Sequence, residues 1–277
     1  MARYLVVGAD GMLGRAWCEL LGEAAHDEAV HPHIDLTRPG TIREHVREGH
    51  AVVINCAAYT DVDGAEVDES AATAVNGEGV GALAERCREV GALLVHYSTD
   101  YVFDGEGTAP YATDHPTRPV NAYGRGKLAG EVALRQAGGE HLLIRTSWLY
   151  APWGKNFVLT IAGLAAERPE LRVVDDQRGR PTSAVQLAAL SAKLIRARAR
   201  GTFHVCDGGE CTWFDLATEV ARLVSPACTV QPCTSAEFPR PAKRPAYSVL
   251  DCSAAEAITG PPREWRPMVQ ETLARRA

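Results

Sequence analysis

The sequence predicts an α/β protein, a doubly wound parallel sheet with helices on both faces and a smaller, interleaved C-terminal domain. Two observations predict it. Short β-branched runs alternate with helical segments through the first half of the chain. The first run, Tyr4 to Val7, also passes through Gly8-Ala9-Asp10-Gly11-Met12-Leu13-Gly14 directly into a helical pattern. Parallel neighbours need a long crossover, and a helix between strands supplies one.

The elements follow in order. A helix is expected from about Met12 to Leu21, a second strand ending near Val30 and a third at Ala51 to Asn55. Glu66 to Val90 carries a long helical pattern with Asn76 near its middle, and Ala92 to Ser98 reads as the next strand. A helix bearing Tyr123 and Lys127 precedes a strand at Leu142 to Thr146. Beyond Thr146 the pattern loosens into an aromatic, turn-rich stretch from Trp148 to Lys155, a helix from about Asn156 to Glu167 and a polar loop from Asp175 to Pro181. A helix at Val185 to Ala199 and a strand at Thr202 to Val205 are expected to return to the sheet. A short helix, Trp213 to Leu223, and a basic, proline-rich stretch, Pro239 to Pro245, complete the pattern. Residues 1–147 with 183–207 thus read as the sheet domain. Residues 148–182 and 208–277 read as a lid over the carboxyl ends of the strands.

At 277 residues the chain is long enough for a substantial core, and its net charge of −6 argues against nucleic acid as a partner. No apolar run is long enough to span a membrane, and Met1-Ala2-Arg3-Tyr4-Leu5-Val6-Val7 reads as a strand rather than a signal peptide, so a cytoplasmic location is expected. Eight cysteines are scattered without a Cys-x-x-Cys pair, and they read as reduced, structural side chains.

The Gly8-x-x-Gly11-x-x-Gly14 turn has the context that gives such a motif meaning, a strand before it and a helix after it. Backbone amides at that helix start can face a pyrophosphate, and glycines let it approach closely. Asp35 lies 21 residues beyond Gly14 but not at the expected tip of the second strand, where His31-Pro32-His33 stands instead. Without an acid there, the 2′-phosphate of NADP meets no repulsion; NADPH is allowed and NADH is not excluded. Tyr123 and Lys127 are four residues apart and share a helix face. A free phenol is a poor acid–base group at neutral pH, and an adjacent cation favours its phenolate. Ser98-Thr99-Asp100 ends a strand at the edge where ligands bind in parallel sheets, so Thr99 can share a carbonyl oxygen with Tyr123.

With these residues in place the chain resembles the dTDP-4-dehydrorhamnose reductases, extended short-chain dehydrogenase/reductases. The likeness rests on the glycine turn, Ser98-Thr99-Asp100-Tyr101-Val102-Phe103-Asp104-Gly105 and Tyr123-Gly124-x-x-Lys127-Leu128-Ala129-Gly130-Glu131. Arg145-Thr146-Ser147-Trp148-Leu149-Tyr150, Asn156-Phe157, Asp176-Gln177-x-Gly179-x-Pro181-Thr182 and Arg244-Pro245-x-x-Ser248-x-Leu250 extend it over nearly the whole chain. The resemblance implies a Rossmann-like fold and reduction of the 4-keto group of a dTDP-6-deoxyhexulose by NADPH or NADH. It implies Tyr123 as proton donor, Lys127 as its cofactor-binding partner and Thr99 as the tuning hydroxyl. Gly8, Gly11, Met12, Leu13 and Gly14 match the pyrophosphate turn; Asp35, Leu36, Ala58, Tyr59 and Thr60 match adenosine and ribose contacts, and Tyr97 joins the cofactor wall. Thr99, Asp100, Trp148 and Asn156 match the sugar side, with Arg244, and Arg240 and Lys243 beside it, assigned to the sugar-nucleotide pyrophosphate. Ala16 stands where relatives carry a glutamate implicated in a metal-bridged dimer, so no metal is expected. Several relatives are homodimers, and this chain shows no clear interface pattern.

Two other readings share the motifs. A 4,6-dehydratase needs a glutamate after its Thr-Asp pair, and here Tyr101 follows Asp100. A nucleotide-sugar 4-epimerase needs only the tyrosine and a tightly held NAD. A non-catalytic NADP-binding subunit, resembling the regulatory subunit of methionine adenosyltransferase, is a third possibility from a different class.

Overall fold

The computed structural model describes residues 3–276. Five strands, β1 (Arg3–Val7), β2 (His26–Ala29), β3 (His50–Asn55), β4 (Leu93–Thr99) and β5 (His141–Thr146), join the Gly201–His204 strand in one parallel sheet. Across the sheet the order runs from Gly201–His204 through β5, β4, β3 and β1 to β2. The chain therefore winds outward from β1 to the β2 edge, then crosses back to β3 and continues the other way. The reversal lies between β1 and β3, where ligand crevices form in sheets of this kind.

Successive side chains of a strand face opposite sides, and both sides are buried here. Val6, Leu93, Val95, Leu142 and Ile144 face one core, beneath the helices Met12–Leu21 and Ala184–Arg196. Leu5, Val7, Leu94 and Leu143 face the other, against Ile42 and the helices Gly79–Val90 and Ala122–Ala137. β2 is the exception, a polar edge strand whose Asp27 pairs with Arg3 at 2.6 Å and with His50 at 3.0 Å. A third core, built around Tyr150, Val158, Leu171, Leu216, Val220 and Trp265, lies within residues 148–182 and 208–277, where a lid is expected.

Several elements depart from the sequence pattern. The single helix expected over Glu66 to Val90 is divided into Val62–Val67, Glu69–Thr73 and Gly79–Val90, with a π-helical turn at Ala74–Glu78. Asp68 causes the first break, since its carboxylate accepts from the Ala71 amide at 2.9 Å and starts a new helix. Asn76 accounts for the wide turn, because its amide accepts from Tyr59 N at 2.9 Å and donates to Tyr59 O at 2.9 Å. In the lid, Glu170–Val174 pairs in parallel with Thr229–Cys233, and within the expected 175–181 loop Arg178–Gly179 pairs with Cys211–Thr212.

The helix Ala122–Ala137 carries the tyrosine and lysine, and its ends are set locally. Asn121 caps the start by accepting from Gly124 N at 2.8 Å, and Gly138 ends it in the left-handed region at φ 69°. Its buried face is charged. Lys127 is 2% exposed and Glu131 0% exposed. Arg145 of β5 meets Glu131 through two hydrogen bonds, of 2.7 and 2.8 Å, and its guanidinium lies 5.1 Å from the Phe103 ring centre. Burial pushes the Glu131 carboxyl up, but Arg145, with smaller help from Ser98 and Arg135, holds the group below the usual range. Removing Arg145 leaves the buried Glu131 carboxylate with only the partly exposed Arg135, 3.0 Å from its Oε2. Arg145→Met is therefore expected to cost about 3–5 kcal/mol in urea unfolding at neutral pH; a loss under about 1 kcal/mol, the worth of an exposed pair, would show that the pair does not hold this seam.

Candidate active site

The carboxyl ends of β1, β3, β4 and β5 open into one cleft of about 910 Å³. Its walls come from Gly8 to Leu13, Asn55 to Thr60, Tyr97 to Asp100 and Thr146 to Leu149, with Tyr123 and Lys127 from the helix above. The volume is in the range of sites that enclose an organic ligand. At one end, six of these residues, among them Thr99, Asp100, Tyr123 and Trp148, also line a second hollow of about 400 Å³ floored by Phe157 and Trp213.

The glycine turn fits a pyrophosphate by two observations. Gly11 stands as N-cap of the helix Met12–Leu21 with no side chain capping it, so the first amides of that helix are left for a ligand. A Cβ on Gly14 would lie 2.0 Å from the Gly8 carbonyl oxygen, so only glycine lets the helix start this close to β1; Gly14 is buried behind the turn while Gly8, Gly11, Met12 and Leu13 line the cleft. Ala58, Tyr59 and Thr60 form the opposite wall, fixed by the Asn76 amide described above. Asp35 and Leu36 line the far end. The Asp35 carboxylate is held below the usual range, chiefly by the Thr37 hydroxyl and amide, and Arg38 pairs with it at 3.4 Å. His31, beyond the tip of β2, shares this end.

At the reacting end, Lys127 Nζ donates to the Tyr97 carbonyl oxygen at 2.7 Å. Burial brings the ammonium down to about 8, against an opposing pull from Glu131. Tyr97 thus offers the site its backbone; its phenol points under the sheet and accepts from Trp17 Nε1 at 2.8 Å. Tyr123 corrects a sequence expectation. An adjacent cation predicts a lowered phenol, yet burial pushes Tyr123 up to about 12, Asp100 adds to the rise and the Thr99 hydroxyl opposes it. The ammonium is turned toward Tyr97, and its charge does not offset desolvation of the phenol. The phenol is therefore fully protonated at neutral pH, a state that can donate a proton.

Thr99 Oγ1 donates to Asp100 Oδ1 at 3.0 Å and accepts from Tyr101 N at 3.2 Å. Burial raises the Asp100 carboxyl to about 6, tempered by the Ser248 and Thr99 hydroxyls. Of these two only Thr99 has hydrogen-bond geometry, and Asp100 Oδ2 is buried with no partner among the described residues. Asp100 lines both hollows, and a carboxylate there is suited to a hydroxyl-bearing ligand.

Trp148 sits at the junction of the two hollows with φ 48°, a left-handed conformation that is costly for a bulky residue. Packing enforces it. The indole stacks on Trp213 at 3.6 Å between centres and 10° between planes, and a Cβ on Gly179 would come within 2.6 Å of the ring.

Two expected site residues lie elsewhere. The Asn156 side chain caps the helix Phe157–Glu167, accepting from Leu159 N at 3.1 Å and donating to Ala151 O at 2.9 Å, and it does not line the cleft. Arg244 is likewise absent from both linings. With Arg240 it grips Asp63, at 2.5 and 2.7 Å, and Asp63 also accepts from Ala242 N. That clamp fastens the 239–245 segment to the helix Val62–Val67, while Lys243 is exposed. Asn76, Phe157 and Trp213 take site-building roles that the sequence reading did not assign. A polar residue inside a helical pattern was the one available signal for Asn76.

Asp100 gives a pH prediction. Its carboxyl titrates at 3.8 when unperturbed and at about 6 in the fold, so between those values the unfolded chain releases a proton that the folded chain keeps. Stability falls as pH rises through that window, and above it the cost is on the order of 1–3 kcal/mol. Asp100→Asn is expected to stabilise the protein above the window and to lose that advantage below it, measured by urea unfolding at both ends. An equal gain at both ends would remove the buried charge as the cause.

Comparison with known proteins agrees with this geometry. The family model described as the RmlD substrate binding domain matches residues 2–277. A dTDP-4-dehydrorhamnose reductase of Streptomyces griseus is 45% identical over 98% of this chain and 93% of its own. A protein of Streptomyces antibioticus named probable dTDP-4,6-dihydroxy-2-methyloxan-3-one 4-ketoreductase is also 45% identical, over 98% and 94%. The crystal structure of dTDP-4-dehydrorhamnose reductase from Bacillus anthracis in complex with NADP superposes with a TM-score of 0.93, at 34% identity and 99% coverage of both chains. Fold, cleft and relatives agree: the chain belongs to the RmlD substrate binding domain family, that of the dTDP-4-dehydrorhamnose reductases.

Proposed function

We propose that this protein reduces the 4-keto group of a dTDP-4-dehydro-6-deoxyhexose with NADPH, dTDP-4-dehydro-L-rhamnose being the first candidate. The observation that carries the reading is a half-buried Tyr123 beside Thr99 and Lys127 where the two hollows meet. The two relatives at equal identity bear names that differ in the sugar, which supports the class of substrate more strongly than any one member. NADP in the Bacillus anthracis structure, together with Ala29-Val30-His31 in place of an acid at the β2 tip, favours NADPH.

The residues assign themselves to roles by position. When bound, the reduced nicotinamide supplies a hydride to the carbonyl carbon. Tyr123 gives a proton to the carbonyl oxygen, and Thr99, its hydroxyl proton turned from Asp100 to that oxygen, holds it in line with the phenol. The phenolate left behind lies one helical turn from the Lys127 ammonium, whose charge offsets it. The Asp100 carboxylate, which lines both hollows, accepts from a sugar hydroxyl. Trp148 and Trp213 wall the sugar's apolar edge, excluding water where the proton moves. An open cleft suits a coenzyme that leaves after each turnover, and purification with stoichiometric NAD would turn the reading toward an epimerase.

Tyr123→Phe removes only the proton donor. It is expected to keep NADPH affinity within about twofold while turnover on the dTDP-keto sugar drops roughly 100- to 10,000-fold. Unchanged turnover would take Tyr123 out of that role, and no turnover by the unmodified chain on any dTDP-4-keto sugar would favour the binding-subunit reading. Trp213→Ala is expected to raise KM for the sugar nucleotide by roughly 3- to 10-fold, the worth of one aromatic contact, with kcat changed much less.

A further inference from the structure

Outside the cleft, three side chains converge that reduction does not use. Cys18 lies in the last turn of the helix Met12–Leu21, and the chain reverses at Gly22 into β2, where His26 and Glu28 share one face of the strand. Cys18 Sγ, a ring nitrogen of His26 and a carboxylate oxygen of Glu28 all lie within 4.8 Å of one another.

The imidazole's orientation limits what can fill the space between them. His26 Nδ1 lies 2.9 Å from the Gly22 carbonyl oxygen. A carbonyl only accepts, so Nδ1 carries a proton. Nε2 then points a lone pair at Glu28 Oε1, 3.2 Å away. Two acceptors at that distance repel unless something positive stands between or beside them. Without a metal, a proton on Nε2 and the Cys18 S–H both turn to Glu28, and burial beside that carboxylate pushes the thiol up to about 12, so an ion must displace the thiol proton. A metal ion engages all three. A histidine whose second nitrogen is fixed by a backbone carbonyl is also the usual arrangement around protein-bound metals.

We propose that Cys18, His26 and Glu28 form a binding site for a divalent cation of borderline softness, Zn²⁺ above all, with water as the fourth ligand. One thiolate, one imidazole and one carboxylate form a mixed donor set suited to zinc and poor for Mg²⁺ or Ca²⁺. The His26 side chain is 3% exposed, which fixes the ligand, while Glu28 at 57% leaves a path for the ion. Binding exchanges the Cys18 S–H for an S–Zn bond and releases one proton to solvent. The bound ion pins the end of the glycine-turn helix to the edge strand, closing the short loop through Gly22. The expectation of no metal rested on cysteine spacing and on Ala16; this set mixes a helix cysteine with two strand residues and becomes visible only when the turn is folded.

Metal-free protein titrated with Zn²⁺ in competition with a chromophoric chelator is expected to take up one ion per chain, and to unfold at higher temperature as Zn²⁺ is added. Co²⁺ in its place is expected to give a thiolate charge-transfer band. Cys18→Ser should abolish that band, weaken Zn²⁺ binding by at least roughly tenfold and leave turnover unchanged. Substoichiometric uptake, a Co²⁺ spectrum without the thiolate band, or equal affinity in Cys18→Ser would overturn the site and leave the histidine–glutamate pair bridged by a proton. The Co²⁺ spectrum of the unmodified chain decides the matter even if the variant folds poorly.

Discussion

The constraint on which the rest depends is the burial of charge between one helix and two strands. Lys127 donates a hydrogen bond to the carbonyl of Tyr97 on β4, and Glu131, one turn later, is held by Arg145 of β5. Neither charge could be buried without its partner, so helix and sheet meet in a single register. That register sets Tyr123, one turn before Lys127, above the strand end that bears Thr99. The catalytic geometry is a consequence of the packing that the buried charges impose. The same seam explains why the lysine does not lower the phenol in this state: the ammonium is turned to the backbone of β4, and desolvation of the phenol prevails.

Around this seam the protein accepts local costs. Asp100 keeps a carboxyl in a dry place with one oxygen unpartnered, and Trp148 holds a left-handed backbone. Both occur where the two hollows join, and both are over-determined by neighbours: Thr99 for the acid, Trp213 and Gly179 for the indole. Groups poised in this way gain free energy only when a ligand arrives, which is how a site favours its substrate over water. Asp63 grips Arg240 and Arg244 from the far end of the chain and so fastens the 239–245 segment to the helix Val62–Val67.

Much of this was legible in the sequence, and the reasons are local. The helix Met12–Leu21, the strands β3 to β5 and the Tyr123/Lys127 pair follow from periodicity, flanking glycines and i,i+4 spacing. What stayed hidden depends on contacts between distant segments. The π-helical turn at Ala74–Glu78 exists because Asn76 reaches Tyr59, and no periodicity reports that. The strand Thr229–Cys233 is polar and partly exposed, and only its partner Glu170–Val174 makes it a strand. Arg244 read as a phosphate ligand because a basic stretch looks free until its counter-charge, Asp63, is found far away in sequence. Asn156 was expected on the sugar side from its motif; its side chain caps the helix Phe157–Glu167, a role that shows only once the helix start is known.

The central claim is that a hydride and a proton meet at the sugar's C4 in front of Tyr123. The most direct test is to supply NADPH deuterated at the transferred position, with dTDP-4-dehydro-L-rhamnose, and to read the sugar product by NMR. The account predicts deuterium on C4 of a dTDP-6-deoxyhexose, released together with free NADP⁺. Deuterium elsewhere in the sugar, or a ketone recovered unlabelled while NADPH stays bound, would contradict it.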